Sequence, residues 1–112
     1  MSTPEPGGEP DPGAFLAETF LAEVDWILAR TPDLTPLDAG VLAALHRGLA
    51  SDTRSFAKLF GVAHALVLRT VADLADGLGL VTLEARDLRT QRTRLALTEA
   101  GRQLVPEALG SH

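Results

Sequence analysis

The apolar positions change period along this chain, and the changes divide it. Residues 1–13 hold four prolines, three glycines and no large apolar side chain after Met1. Such a stretch cannot bury enough surface to offset its ordering entropy. The expectation is a tail without fixed structure, then one domain over 14–106, then a short flexible tail over 107–112. Residues 14–30 (AFLAETFLAEVDWILAR) contain no helix breaker and end just before Thr31 and Pro32, which predicts a helix. At 100° per residue, Leu16, Phe20, Val24, Ile27 and Leu28 share one arc, and Phe15 and Trp26 share another beside Glu23 and Arg30. A second apolar strip asks for a second partner, most simply another copy of the chain. Phe15, Phe20, Trp26 and Ile27 are the candidate dimer contacts.

Next comes the clearest helix start in the sequence. Thr35 is placed to cap, Pro36 takes the first helical position and Asp38 falls three residues after the cap. Val41, Leu42 and Leu45 continue that helix towards Gly48. Ser51, Asp52 and Thr53 offer caps for another helix over 54–60, Gly61 and Val62 turn the chain, and a further helix is predicted over 64–77. Ala57, Gly61, Val62, Val67 and Arg69 have the spacing of a helix-turn-helix: a small residue for close crossing, a glycine for the turn, valines between the helices. After Leu80 the period becomes two. Val81, Leu83 and Ala85 alternate with Thr82, Glu84 and Arg86, and Thr93, Leu95 and Leu97 with Arg92, Arg94 and Ala96, so a hairpin with one apolar face is expected around a tip at 87–91. Thr98 then opens a last short helix ending near Pro106. The fold class is mainly α with a small β-hairpin, a winged helix-turn-helix.

Charge sharpens this picture. The net charge of −5 argues against a nucleic-acid partner until its distribution is considered. Residues 1–52 carry −7, while residues 53–94 carry +3. The basic side chains gather on the helix-turn-helix and hairpin as Arg54, Lys58, Arg69, Arg86, Arg89, Arg92 and Arg94. On the hairpin they are arginines without a lysine, a choice that suits phosphate and groove contact. The absence of cysteine removes thiolate metal sites and thiol catalysis. His46, His64 and His112 have no evident acid or nucleophile partner, and no glycine-rich phosphate loop occurs. No enzyme, metal or cofactor is expected. No apolar run reaches membrane-span length and no leader is evident at the N-terminus, which makes the cytoplasm the expected location.

LTPLDAGVLAAL at 34–45, AKLFGV at 57–62, VLRTVADL at 67–74, GLV at 79–81, the D-x-R of Asp87, Leu88 and Arg89, and LTEAG at 97–101 together resemble the winged helix-turn-helix domains of the MarR family of bacterial transcription regulators. The likeness covers roughly 14–105. It implies a homodimer on duplex DNA, usually a repressor released by a small ligand, with the second helix of the turn motif in the major groove and a wing arginine in the minor groove. Family members continue into further dimer-forming helices, a role that here would pass to residues 14–30. The wing is about two residues longer than usual, which makes Arg89 and Arg92 rivals for the minor groove. Where family recognition helices carry Ser, Thr, Gln or Arg, this chain has Ala63, Ala65, Leu66 and Leu68, leaving His64, Arg69 and Thr70 to meet base edges or phosphates. Alanine and leucine can touch thymine methyls but do not separate bases by hydrogen bonding. The competing function is a winged-helix adaptor whose apolar second helix binds another regulator, and a pairing of Arg69 with Asp73 would make that arginine structural.

Overall fold

The computed structural model describes residues 12–106, with side chains from Glu18 onward. Of the expected N-terminal tail, only Pro12 and Gly13 are described. They form the first turn of α1 (Pro12–Arg30), two residues earlier than the sequence suggests, since proline is tolerated at a helix start. After it come α2 (Pro36–Arg47), α3 (Thr53–Phe60), α4 (His64–Ala72) with a wider turn at Asp73–Gly77, strands β1 (Val81–Arg86) and β2 (Thr93–Leu97), and α5 (Glu99–Leu104). Residues 1–11 and 107–112, including the rest of the expected tails and His112, lie outside the described residues.

Local chemistry accounts for the boundaries. Thr35 Oγ1 accepts from Asp38 N at 3.1 Å and the Asp38 carboxylate accepts from Thr35 N at 2.9 Å, a closed capping box at the start of α2. Gly48 ends that helix with a left-handed φ of 70°. Asp52 caps α3 through Ser55 N at 2.9 Å, and Gly61 (φ 68°) turns the chain towards α4. Beyond Ala72 the helix widens: Leu78 N donates to Asp73 O five residues back, and Leu80 N to Leu74 O. Gly79 (φ 67°) closes this turn.

The core runs through the middle of these elements. Ile27 of α1, Val41 and Leu42 of α2, Phe56 of α3, Val67 of α4 and Leu74 are fully buried. Phe60 stacks between Phe20 and Phe56, each centroid pair 6.1 Å apart. Phe60 and Phe20 close over Gly40, where a Cβ would lie 3.3 Å from the Phe60 ring and 3.9 Å from that of Phe20. A buried charged cluster joins α1 to the end of α2. Glu23, with no exposed surface, accepts from Arg47 Nε at 2.6 Å and lies 2.7 Å from His46 Nδ1. Sequence spacing hid this contact, because the carboxylate comes from a residue 23 positions upstream of His46.

The hairpin pairs Val81 with Leu97 and Arg86 with Thr93, with a bulge at Glu84 between Leu83 and Ala85. Its expected apolar face is only partly covered: Val81 and Leu95 are buried, while Leu83 and Ala85 are exposed. The ribbon projects past the core, and the bulge falls where its apolar alternation leaves the domain. Residues 51–52 run along the other edge of β2, with Leu95 N donating to Ser51 O at 2.9 Å and Asp52 bridging Arg94. At the base, Thr98 N donates to Leu80 O and Thr98 Oγ1 donates to Gly79 O, which fixes α5 beneath the wing.

Candidate nucleic-acid interface

Two elements carry the candidate residues, and one short segment joins them. On α4 the residues facing outward are Ala65, Leu66, Arg69 and Asp73, all exposed. Arg69 and Asp73 make no ion pair, so the guanidinium is left free for a partner. Thr70 falls at the edge of the buried face. It is only 8% exposed and its hydroxyl donates to Leu66 O at 2.9 Å. That geometry removes it from the candidate base readers, because a helix threonine can satisfy its hydroxyl on the preceding turn. Ala63 precedes α4 without giving a side-chain cap, as expected from the missing serine. The apolar neighbours Leu59 (47% exposed) and Leu66 (38%) lie on α3 and α4 as unburied leucines of the helix-turn-helix.

On the wing, Arg86, Arg89, Arg92 and Arg94 are all exposed. The tip is a closed loop: Asp87 N donates to Arg92 O, Gln91 N to Asp87 O, and Arg89 N to Asp87 Oδ1 at 2.9 Å. The aspartate of D-x-R is thus a turn former, and Gln91 takes the positive φ of 62° needed to close the loop. Leu88 stands at the summit, 77% exposed. An open cleft under the wing is lined by Asp52, Arg86, Asp87, Arg92 and Arg94. There Arg92 Nε approaches Asp52 Oδ1 at 3.7 Å, a long and exposed pair.

The joining segment is 52–54, whose role beyond capping the sequence did not disclose. Arg54 holds the wing tip, donating from Nε and Nη2 to Thr90 O at 3.2 and 2.8 Å. Thr53 is fully buried; its Oγ1 accepts from Thr93 N at 2.9 Å and lies 2.7 Å from His64 Nε2. Burial, then the nearby Arg54, lowers the His64 pKa below 6.5. Lys58 is exposed on α3 with no ion pair. Among the described residues no cluster of metal-binding side chains occurs, and no helix is long and apolar enough to cross a membrane.

The candidate dimer contacts separate. Ile27 lies wholly inside the core, and the half-buried Phe20 stacks on Phe60, so both pack within the domain. Both lie on the arc that packs on the domain itself with Val24 and Leu28, and Glu23, about 40° from Ile27 at 100° per residue, is drawn in beside them by His46 and Arg47. Trp26 is half-buried, with Arg30 over its ring at 4.2 Å. Leu21 is exposed on the same helix, about 140° around it from Trp26. The side chain of Phe15 lies outside the described residues.

These elements define a winged helix-turn-helix protein, mainly α with a two-stranded hairpin. Its fold is that of the MarR-type transcription regulators. MarR itself superposes with a TM-score of 0.56 at 22% identity, over 84% of this chain and 70% of that one. The regulator BldR of Sulfolobus solfataricus gives 0.55 at 21%, over 82% and 67%. BpsR of Bordetella bronchiseptica, whose DNA binding is regulated by 6-hydroxynicotinic acid, gives 0.55 at 24%, over 96% and 76%. No protein-family model and no curated protein matches the chain.

Proposed function

We propose that this chain is a DNA-binding transcription regulator that docks α4 in the major groove and lays its wing along the adjacent minor groove. The observation that carries the reading is the row of exposed cations on the wing, Arg86, Arg89, Arg92 and Arg94, of which only Arg92 has a carboxylate within 4.0 Å among the described residues. Arg54 stiffens the wing that bears them, and Arg69 and Lys58 extend the positive row onto α4 and α3. Phosphate and narrow-groove contact then supply most of the affinity. The outward Ala65 and Leu66 meet thymine methyls, so sequence preference is modest. Occupying its site in this way, the protein acts as a cytoplasmic repressor.

The same reading makes it a homodimer through α1, around the half-buried Trp26. In sedimentation, Trp26→Ala is expected to shift the population towards monomer. A wild-type monomer at micromolar concentration removes this part of the proposal. The DNA reading is tested by titrating duplexes at several salt concentrations. Arg89→Ala and Arg92→Ala should each lower the salt slope by about one and weaken all sequences alike. An unchanged slope in the double variant overturns it. A second reading, the protein adaptor, is favoured by the exposed Leu59 and Leu66. It takes over if the double variant binds DNA as before but Leu66→Lys loses a protein partner.

A further inference from the structure

The reading helix and the wing meet at one atom. Thr53 Oγ1 receives the Thr93 amide proton of β2 at 2.9 Å and faces His64 Nε2, at the first residue of α4, at 2.7 Å. A hydroxyl has one proton to give, and Thr53 has no exposed surface. If His64 carried its proton on Nε2, Thr53 would accept twice and its own proton would be buried without an acceptor. If His64 carries it on Nδ1, the Thr53 hydroxyl donates to Nε2, and the Thr93 amide, the Thr53 hydroxyl and Nε2 are all satisfied. A doubly protonated ring fails for the same reason. It also faces Arg54 of α3 and Arg92 of the wing, with Asp52 the opposing charge; burial and then Arg54 are the main causes of its lowered pKa.

Among the described residues Nδ1 has no hydrogen-bond partner, and it is not among their buried orphan polar atoms, Thr31 Oγ1 and Arg47 Nη2. The ring therefore turns one fixed N–H outward at the start of the helix proposed to read DNA. We propose that Thr53 is a positioning residue that locks His64 as the Nδ1–H tautomer, making His64 a one-way donor to a hydrogen-bond acceptor on the duplex. This rests on the DNA-binding reading for its partner but not for the tautomer. The acceptor chemistry has two sources, a purine N7 in the major groove and a phosphate oxygen beside it. Because Thr53 also holds Thr93, a shift of the wing is transmitted to the donor.

The test begins on the full chain without DNA, by long-range ¹H–¹⁵N correlation of the histidine rings at pH 7.5. His64 should show a pyridine-like Nε2 and a protonated Nδ1. Thr53→Ser should preserve this pattern, and Thr53→Val, of the same shape, should release the ring towards the Nε2–H form common in exposed histidines. A protonated Nε2 in the wild-type protein, or an unchanged ring in a folded Thr53→Val, overturns the proposal whether or not DNA binds. The duplex arm uses a site selected from random sequence. His64→Asn, whose amide N–H2 falls near Nδ1, should keep most of the affinity, and His64→Gln should lose between about twofold and tenfold. The same loss in the wild-type protein on 7-deazapurine substitution identifies a base edge, and on methylphosphonate substitution a phosphate. No loss with either, or with His64→Gln, refutes the donor role while leaving DNA binding intact. No duplex binding at all refutes the DNA reading and leaves the tautomer result standing.

Discussion

Removing the Glu23 carboxylate should destabilise this domain more than any single change on its surface. In Glu23→Ala, Arg47 keeps its charge at a site only 17% exposed, loses its Nε partner, and still has the buried Nη2 without one. Taking one member from a buried ion pair costs about 3–5 kcal/mol. The residual exposure of Arg47 lets water reach part of the guanidinium, which places the loss near the lower figure, about 3 kcal/mol. At about 4–8 °C per kcal/mol for a domain of this size, the melting temperature should fall by about 12–24 °C. Far-ultraviolet circular dichroism melts at constant pH measure this directly. Glu23→Gln keeps the volume and one acceptor oxygen, and should cost roughly half as much. Replacing the cluster together, Glu23→Leu with Arg47→Met, should recover most of the loss, because no charge is then left buried. A fall of less than about 4 °C in Glu23→Ala would mean that the cluster does not tie α1 to α2.

Three further outcomes follow from the same geometry. Gly101→Ala would place a Cβ 2.1 Å from Leu80 O, where Thr98 N also donates, so α5 must move off the base of the wing; chemical denaturation should show a loss of about 1–3 kcal/mol. Arg54→Ala frees Thr90 O, and amide exchange at 88–91 should accelerate while that of Leu42 and Val67 stays within about threefold of wild type. The lowered His64 pKa means that the unfolded chain binds the proton first, so this group's contribution is complete above pH 6.5 and is lost as pH falls through the lowered folded value. An imidazole titration midpoint at or above 6.5 for His64 would contradict that direction.

The parts of the fold set by local chemistry were legible in the sequence: the Thr35 cap with Pro36 and Asp38, the glycine stops at Gly48 and Gly61, and the period-two hairpin. Their causes act within four residues along the chain. What escaped depended on partners far away in sequence. Glu23 reads as a surface acid until α2 brings two basic side chains to it. Residues 51–53 read as helix caps, which Asp52 is, but they also form an edge against β2 with no alternation to announce it. Thr70 looks available on a helix projection, and only the packing of α4 turns it inward. The basic wing was visible as composition, whereas its anchoring by Arg54 needed a contact across 36 positions.

The widened turn at Asp73–Gly77 has a consequence for how such a domain can change. Its bond from Leu78 N to Asp73 O spans one residue more than a regular helical bond. Deleting a single residue, Ala75 or Asp76, would let α4 close as an ordinary helix. Four residues at about 100° each turn the chain roughly as far as the five of the wider turn, so Leu80 and the root of the wing would stay near the face they now cover. The wide turn is thus a place where chain length can change by one residue while the wing keeps its aim relative to α4.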